Sequence, residues 1–512
     1  MKLNALLLLS TLGLGAVNGE RLNRRHIAKR QAAAGTIVTT TAVTSPATVA
    51  TTTSTQASTT TTAAAPAGTT TSTTSTVAQA TTAVVVSSST SSTTAAGQAG
   101  LTTTVSSGPP ALATGTTIPP LSEITLGMPT RVTLAAETTI TAGATPPISG
   151  APVIPTPAAS DYVLSSWPAQ DKIPPTDSTE VQEWLKELDG YDIPDLSLTV
   201  NGSCAASPAQ AADAANRGWW TCGGYTRLTD IVACPTKYDW GVSFDDGPSG
   251  YSAYLLDFLE EKDISATFFV VGSRVIERPA ILLEEYMAGH EISVHTWSHS
   301  ALTNLTNEQI VAELGWTRKA IKTFLGVTPT TMRPPYGDID DRVRAISLAM
   351  GMVPIMWTRS PSGAQFDTND WRVAGGQVAG NDSFASFEEI LGNATLIDTG
   401  FIVLQHDLFE ISVDLAVGYT LDAALTHSPA FDLKSIGSCS GIPEGNMYLE
   451  TNTNTTFPYS NSTSVDVSGD GTVDTQSGTS NTTSGTTSGA FTNAIPFISS
   501  MGVGLAALSV LL

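Results

Sequence analysis

Between Tyr238 and Ala424 short apolar runs alternate with longer amphipathic stretches, the pattern of a parallel sheet wrapped by helices. The runs Trp240 to Phe244, Ala266 to Val271, Glu291 to Val294, Thr330 to Met332, Val353 to Met356 and Phe401 to Leu404 predict strands. Between them, Tyr251 to Lys262, Arg274 to Ala288, Asn307 to Leu325, Arg342 to Met350 and Phe384 to Asn393 predict helices. In the third of these helices Val311, Leu314, Ile321 and Phe324 follow at steps of three, seven and three, which keeps them on one buried face. Six or more such units predict an α/β fold, a small and distorted or incomplete (β/α) barrel rather than a doubly wound sheet. In either, chemistry belongs at the carboxyl ends of the strands.

Outside this span the pattern disappears. Every Phe, Trp and Tyr lies at or after Tyr162, and from Ala32 to about Ser160 the chain is Thr, Ser, Ala, Val and Pro without a helical or strand period. That composition predicts a disordered stalk over residues 20–160, open to O-glycosylation, and one folded domain over 161–440 with its motif core at 239–426. Lys2 and the apolar run Ala5 to Val17, with small residues through Gly19, have the form of a secretory signal over 1–19. That run is too short to span about 30 Å of hydrocarbon. Arg24-Arg25 and Lys29-Arg30 suit a dibasic processing protease or are inert. At the other end a Ser/Thr-rich linker, 451–492, precedes the apolar tail 493–512, with no basic residue flanking the tail as a membrane stop signal would want. This arrangement predicts a glycolipid anchor replacing the tail, attached at Ser484, Gly485 or Ser488. The expectation is an exported monomer held at the outer face of the plasma membrane and in the cell wall.

Charge and cysteines sharpen that picture. With 24 Lys+Arg against 46 Asp+Glu and a net charge of -22, the chain lacks the basic balance that nucleic acid or an anionic lipid surface would want. Asn201, Asn304, Asn381, Asn393, Asn454, Asn461 and Asn481 each open an N-x-Ser/Thr acceptor, in keeping with export. In an oxidising compartment Cys204, Cys222, Cys234 and Cys439 form two disulfides. Of the three pairings, Cys222–Cys234 with Cys204–Cys439 is expected, the second tying the start of the domain to its end. A zinc site made of all four is disfavoured because no C-x-x-C pair is present.

The chemistry-bearing residues stand at the strand ends. Ser243-Phe244-Asp245-Asp246-Gly247-Pro248 closes the first strand with adjacent carboxylates whose side chains diverge, so that one can bind a metal while the other takes a proton. The same residues also make an ordinary turn. His295-Thr296-Trp297-Ser298-His299 follows the third strand, and on a helical turn a four-residue spacing puts both imidazoles on one face. With only 6 His in the chain, a chance pair at that spacing beside Asp-Asp is disfavoured. Asp246, His295 and His299 then give a catalytic zinc three protein ligands and leave a position open. Arg333-Pro334-Pro335-Tyr336-Gly337 ends the next strand with an Arg for a carboxylate and a Tyr336 N–H for an oxyanion. Leu404-Gln405-His406-Asp407 ends the last, with a histidine placed to act as general acid.

Together these segments resemble the polysaccharide deacetylase family, also called the NodB homology or carbohydrate esterase family 4 fold, and its fungal chitin deacetylases in particular. The resemblance covers roughly Asp239 to Thr426 with the order of motifs kept. It implies that Asp245 is the catalytic base, that Asp246, His295 and His299 hold one divalent ion, zinc or cobalt, and that Arg333 orients the base. It also makes Tyr336 the oxyanion donor through its backbone, His406 the acid, and Leu404 the wall around the acetate methyl. The family's D-x-x-D-W motif matches Asp367-Thr368-Asn369-Asp370-Trp371, which implies that Asp367 orients the Arg or His and that Trp371 lines the sugar groove. Two departures stand out: Ser243 where the family usually has Thr, and the segment Thr358 to Phe366, which looks inserted. The implied activity is hydrolysis of the N-acetyl groups of chitin and other N-acetylglucosamine polymers. Deacetylation of peptidoglycan or acetylxylan, and an inactive adhesive or structural wall mannoprotein, are the competing readings.

Overall fold

In a computed structural model, which describes residues 117–454, the first predicted strand is split at Val242 into Asp239–Gly241 (β1) and Ser243–Asp245 (β2). The remaining strands are Thr267–Val270 (β3), Glu291–Val294 (β4), Thr331–Met332 (β5), Val353–Pro354 (β6), Phe401–Ile402 (β7) and Asp432–Lys434 (β8). All ladders are parallel, in a five-stranded sheet ordered β2-β3-β4-β5-β6 and a three-stranded sheet ordered β7-β1-β8. Both faces of the central strands are buried, which is why they read as continuous apolar runs. The sheets meet where β1 runs on into β2, and an isolated parallel bridge sets Asp245 beside His406. Among the described residues no ladder joins β6 to β7; single contacts such as the Thr358 N–H to the Ile402 carbonyl, 3.0 Å, cross the gap. The barrel is therefore incomplete, as the pattern predicts.

The principal helices are Ser252–Glu261 (α1), Pro279–Met287 (α2), Asn307–Leu325 (α3), Asp341–Ala349 (α4) and Gly380–Leu396 (α5). α3 starts at a capping box between Thr306 and Gln309 and ends where Gly326 turns left-handed, so its bounds are those predicted. Val311, Leu314, Ile321 and Phe324 are all fully buried. The helix predicted over Arg274 to Ala288 is broken, because Pro279 has no N–H to continue it and opens α2 instead. No helix among the described residues is long and apolar enough to cross a membrane.

The predicted domain limits need correcting at both ends. Residues 117–160, expected to be stalk, dock on the folded body through Ile118, Ile124, Met128, Ile148 and Ile154, all buried. Arg131 enters an acidic recess, where its backbone N–H lies 2.7 Å from Glu410 Oε1 and its guanidinium pairs with Glu410 and Asp414. The Tyr254 hydroxyl donates to the Val132 carbonyl at 2.8 Å. These five scattered apolar side chains and the polar contacts together hold the strap, which carries almost no regular structure and hence no period. Beyond residue 440 the chain still packs: Tyr448 is fully buried and Glu450 accepts from the Thr328 N–H at 2.7 Å.

The disulfide expectation is also corrected. Cys204 pairs with Cys222 and Cys234 with Cys439, at Cα separations of 5.7 and 5.3 Å. Cys234 precedes β1, Cys439 follows β8, and those strands are neighbours, so the bridge closes over one sheet edge. A Cβ at Gly241 would lie 3.1 Å from both sulfurs, a contact tight enough to press on the bridge. The acceptors Asn201, Asn381 and Asn454 are exposed, Asn304 accepts from the Asn201 N–H at 3.3 Å, and the Asn393 amide donates to the Glu389 carbonyl at 2.9 Å. Asn461, Asn481, the leader, the dibasic sites, and Ser484, Gly485 and Ser488 with the tail lie outside the described residues.

Two buried carboxyls should make stability depend on pH. Glu285 on α2 is fully buried, neither of its oxygens has a hydrogen-bond partner, and burial, with the nearby Asp407 and Glu284 charges, holds its carboxyl well above the ordinary range. Burial likewise pushes Asp407 up to about 7. A folded-state pKa above the unfolded value contributes stability fully at low pH and loses it as pH rises through the folded value. Thermal stability should thus decline from pH 5 to pH 8. Glu285→Gln should flatten that decline, reducing the loss at pH 8 by about 2–6 °C. Thermal melts across that range check this, and parallel curves for the two proteins would remove Glu285 from the account.

Candidate active site

The carboxyl end of β2 sends two neighbouring carboxylates in different directions. Asp245 stays in the strand, with its N–H bonded to the Gln405 carbonyl at 3.0 Å, whereas Asp246 takes a left-handed backbone, φ 81°. A non-glycine residue there is strained by about 1–3 kcal/mol, and its surroundings hold it in place. Arg274 contributes by donating to the Asp246 carbonyl at 2.7 Å.

His295 and His299 do converge, though not on a helical turn. The segment after β4 is a loop in which Thr296 and His299 have φ of 63° and 57°, and this brings the two ring centroids to 5.0 Å. Asp246 Oδ1 lies 3.0 Å from His299 Nε2 and 3.5 Å from His295 Nε2. The ligand atoms of all three lie within 4.8 Å of one another.

Hydrogen bonding fixes the tautomer of His295. Its Nδ1 is 2.8 Å from the Arg333 carbonyl, which can only accept, so Nδ1 carries the proton and the Nε2 lone pair faces Asp246. Burial lowers the His295 pKa and keeps the ring neutral. Burial works against the Asp246 charge, yet His299, His295 and His406 hold its carboxyl well below the usual range. Asp246 Oδ1 is nevertheless buried without a hydrogen-bond partner. An ionised oxygen with an orphaned lone pair, facing the His295 Nε2 lone pair and beside the His299 ring, suits a divalent cation. His299 Nδ1 is 3.1 Å from the Tyr336 hydroxyl, and the two rings meet edge to face at 4.6 Å. Tyr336, at φ 60°, thus supports His299 with its side chain, a contact that the sequence reading did not foresee.

Asp245 has different neighbours. Arg333, fully buried, donates from Nη1 to Asp245 Oδ1 at 2.6 Å and to the Ser243 hydroxyl at 3.0 Å. Its guanidinium also reaches the Ile355 and Met356 carbonyls and lies 3.9 Å over the Phe269 ring. Ser243 supplies the hydroxyl that Thr would bring, so this departure leaves the network intact.

At the end of the strand continuing β7, His406 is held twice by Asp370, through its N–H at 2.8 Å and its Nδ1 at 2.7 Å. Burial alone would lower its pKa, but the Asp370 carboxylate, with Asp246 and Asp245 further off, raises it to about 10, so the ring is an imidazolium. The orienting aspartate is therefore Asp370, not Asp367 as the motif reading had it. Asp367 instead accepts from the Asn369 N–H at 2.8 Å and the Trp371 indole at 3.3 Å, and pairs with Leu404 in an isolated parallel bridge. Burial raises its carboxyl.

Asp245, Asp246, His295, His299, Tyr336 and His406 share one cavity of about 430 Å³, lined also by Asp367, Trp371, Leu404 and Pro334, within the ~300–1,000 Å³ of ordinary ligand sites. The sequence reading missed its other wall, Trp220, Thr221, Trp357, Arg359 and Gln365. The signals available for it were the proximity of Trp220 to Cys222 and the inserted look of 358–366, which holds Arg359 and Gln365. The arrangement as a whole can hold a divalent ion between a carboxylate that accepts a proton and an imidazolium that gives one.

Comparison with known proteins shows what this chain is similar to. The family described as Polysaccharide deacetylase matches residues 233–355. Chitin deacetylase 1 of Cryptococcus neoformans var. grubii is 53% identical over 355 residues, covering 69% of this chain and 73% of the relative. The chitin deacetylase of Amylomyces rouxii is 33% identical over 279 residues, 51% of this chain and 64% of that protein. A solved structure, the peptidoglycan deacetylase PdaC from Bacillus subtilis, is 28% identical, covers 41% of this chain and 92% of that one, and gives a TM-score of 0.34. The chain belongs to the polysaccharide deacetylase family.

Proposed function

We infer that this chain is a metal-dependent chitin deacetylase, hydrolysing N-acetyl groups of chitin to acetate and leaving glucosamine units. The observation that carries the reading is the convergence of Asp246, His295 and His299 around an orphaned carboxylate oxygen, beside the separately held Asp245. Two imidazoles and one carboxylate suit zinc, with cobalt the alternative. Bound there, such an ion supplies a Lewis acid for the amide carbonyl and for water.

The protein's own groups supply the proton transfers. Asp245, oriented by Arg333, accepts a proton as the water oxygen bonds to the acetyl carbon. The Tyr336 N–H donates to the oxygen that becomes negative. His406, charged and aimed by Asp370, gives its proton to the nitrogen as the C–N bond breaks, so that acetate and a free amine leave. Leu404 packs against the acetyl methyl, and Trp371, 43% exposed, offers a face to a sugar. Two disulfides, exposed Asn-x-Ser/Thr acceptors and the apolar tail behind a Ser/Thr linker support action outside the cell under a glycolipid anchor.

The test is acetate release from chitin oligomers, peptidoglycan and acetylxylan side by side. Chitin oligomers should be turned over fastest, and stripping the metal with a chelator should stop the reaction. Release from acetylxylan alone would assign another substrate, and no release from any of the three would leave a binding protein.

A further inference from the structure

The segment 358–366 has no part in the mechanism above, yet it forms a small hairpin at the mouth of the cavity. Arg359 pairs with Gln365 in an antiparallel bridge, and the Ser360 N–H bonds to the Ala364 carbonyl at 2.8 Å. The Arg359 guanidinium lies 5.2 Å over the Trp220 ring, and a Cβ at Gly224 would collide with its Nη1. Trp220 in turn meets Trp357 edge to face at 5.7 Å, and the Cys204–Cys222 bridge secures the loop that carries it. The arginine is thus held on a built aromatic shelf.

It has no counterion there. Among the described residues no carboxylate lies within ion-pair distance of Arg359, and its buried Nε has no hydrogen-bond partner. Burial alone accounts for the lowering of its pKa. The buried arginines Arg333 and Arg344 are, by contrast, each matched to an aspartate. A fixed cation with spare donors therefore lines the same cavity as Asp245 and His406.

We propose that Arg359 selects the sugar beside the one being deacetylated, accepting an N-acetylglucosamine and rejecting a glucosamine that has already lost its acetyl group. An acetamido carbonyl is a neutral acceptor and can take the spare N–H donors. The ammonium of glucosamine offers only donors and a like charge, and near a low-dielectric wall such a pair repels. The enzyme then avoids deacetylating directly next to its own product on that side. This inference rests on the deacetylase reading.

The test compares kcat/KM on acetylated chitin tetramers with that on tetramers carrying a single glucosamine on either side of the reactive unit. The metal-loaded wild-type, Arg359→Gln and Arg359→Lys proteins are assayed in low and high salt. Wild type should disfavour one of the two mixed tetramers by roughly tenfold, an effect weakened by salt. Arg359→Gln should lose that discrimination at either salt concentration. Arg359→Lys should keep most of it, since the charge remains, and this variant decides the matter if the glutamine variant does not fold. An unchanged ratio in Arg359→Gln, or a wild type indifferent to both mixed tetramers, would overturn the proposal while leaving the deacetylase reading intact. Absence of acetate release from every tetramer by wild type would overturn both.

Discussion

His295→Ala should remove the bound divalent ion and acetate release together. Only Asp246 and His299 would remain as ligands, and two protein groups hold zinc poorly. The loss reaches further than one nitrogen, because the His295 ring is fixed by the Arg333 carbonyl and packs 5.0 Å from His299. Elemental analysis of the purified variant, read with a thermal melt to show that it folds, is the measurement. A variant with wild-type metal content would refute the assignment of these three residues.

Asp245→Asn should behave differently: the ion stays, and turnover on chitin oligomers falls by about 10² to 10⁴. The amide fills the same space and can turn its oxygen to Arg333 but cannot accept a proton from water. The substitution also leaves the fully buried Arg333 without its counter-charge, a change that typically costs about 3–5 kcal/mol. A lower melting temperature with full metal content is therefore part of the expected result. Loss of metal here, with retention in Asp246→Asn, would mean that the two carboxylates exchange roles.

The groups proposed to be catalytic were legible because each sits within a few residues of a strand's carboxyl end, and strand runs buried on both faces are hard to miss. What escaped was whatever depends on a turn or on a partner far along the chain. Asp367 and Asp370 are equivalent in a D-x-x-D-W string; the left-handed Asn369, φ 57°, starts a helix that directs the second of them to His406. The pairing of Cys234 with Cys439 follows from β8, a three-residue strand only partly buried whose Asp-Leu-Lys sequence signals nothing. The docked strap failed for the opposite reason, since a segment that borrows its hydrogen bonds from elsewhere needs no periodicity. Arg359 lies in the stretch that looked inserted, where resemblance has nothing to say.

The Cys234–Cys439 bridge, whose ends are 205 positions apart in sequence, makes the folded body a covalent ring. Asp245, Asp246, His295, His299, Arg333, Asp370 and His406 all lie inside that ring. A protease that nicks one exposed loop between the two cysteines opens the ring but releases nothing, because the fragments stay tied at the sheet edge where β1 and β8 meet. Outside a cell, where hydrolases abound and thiols stay oxidised, a single cut in this body is thus a scar rather than a severance.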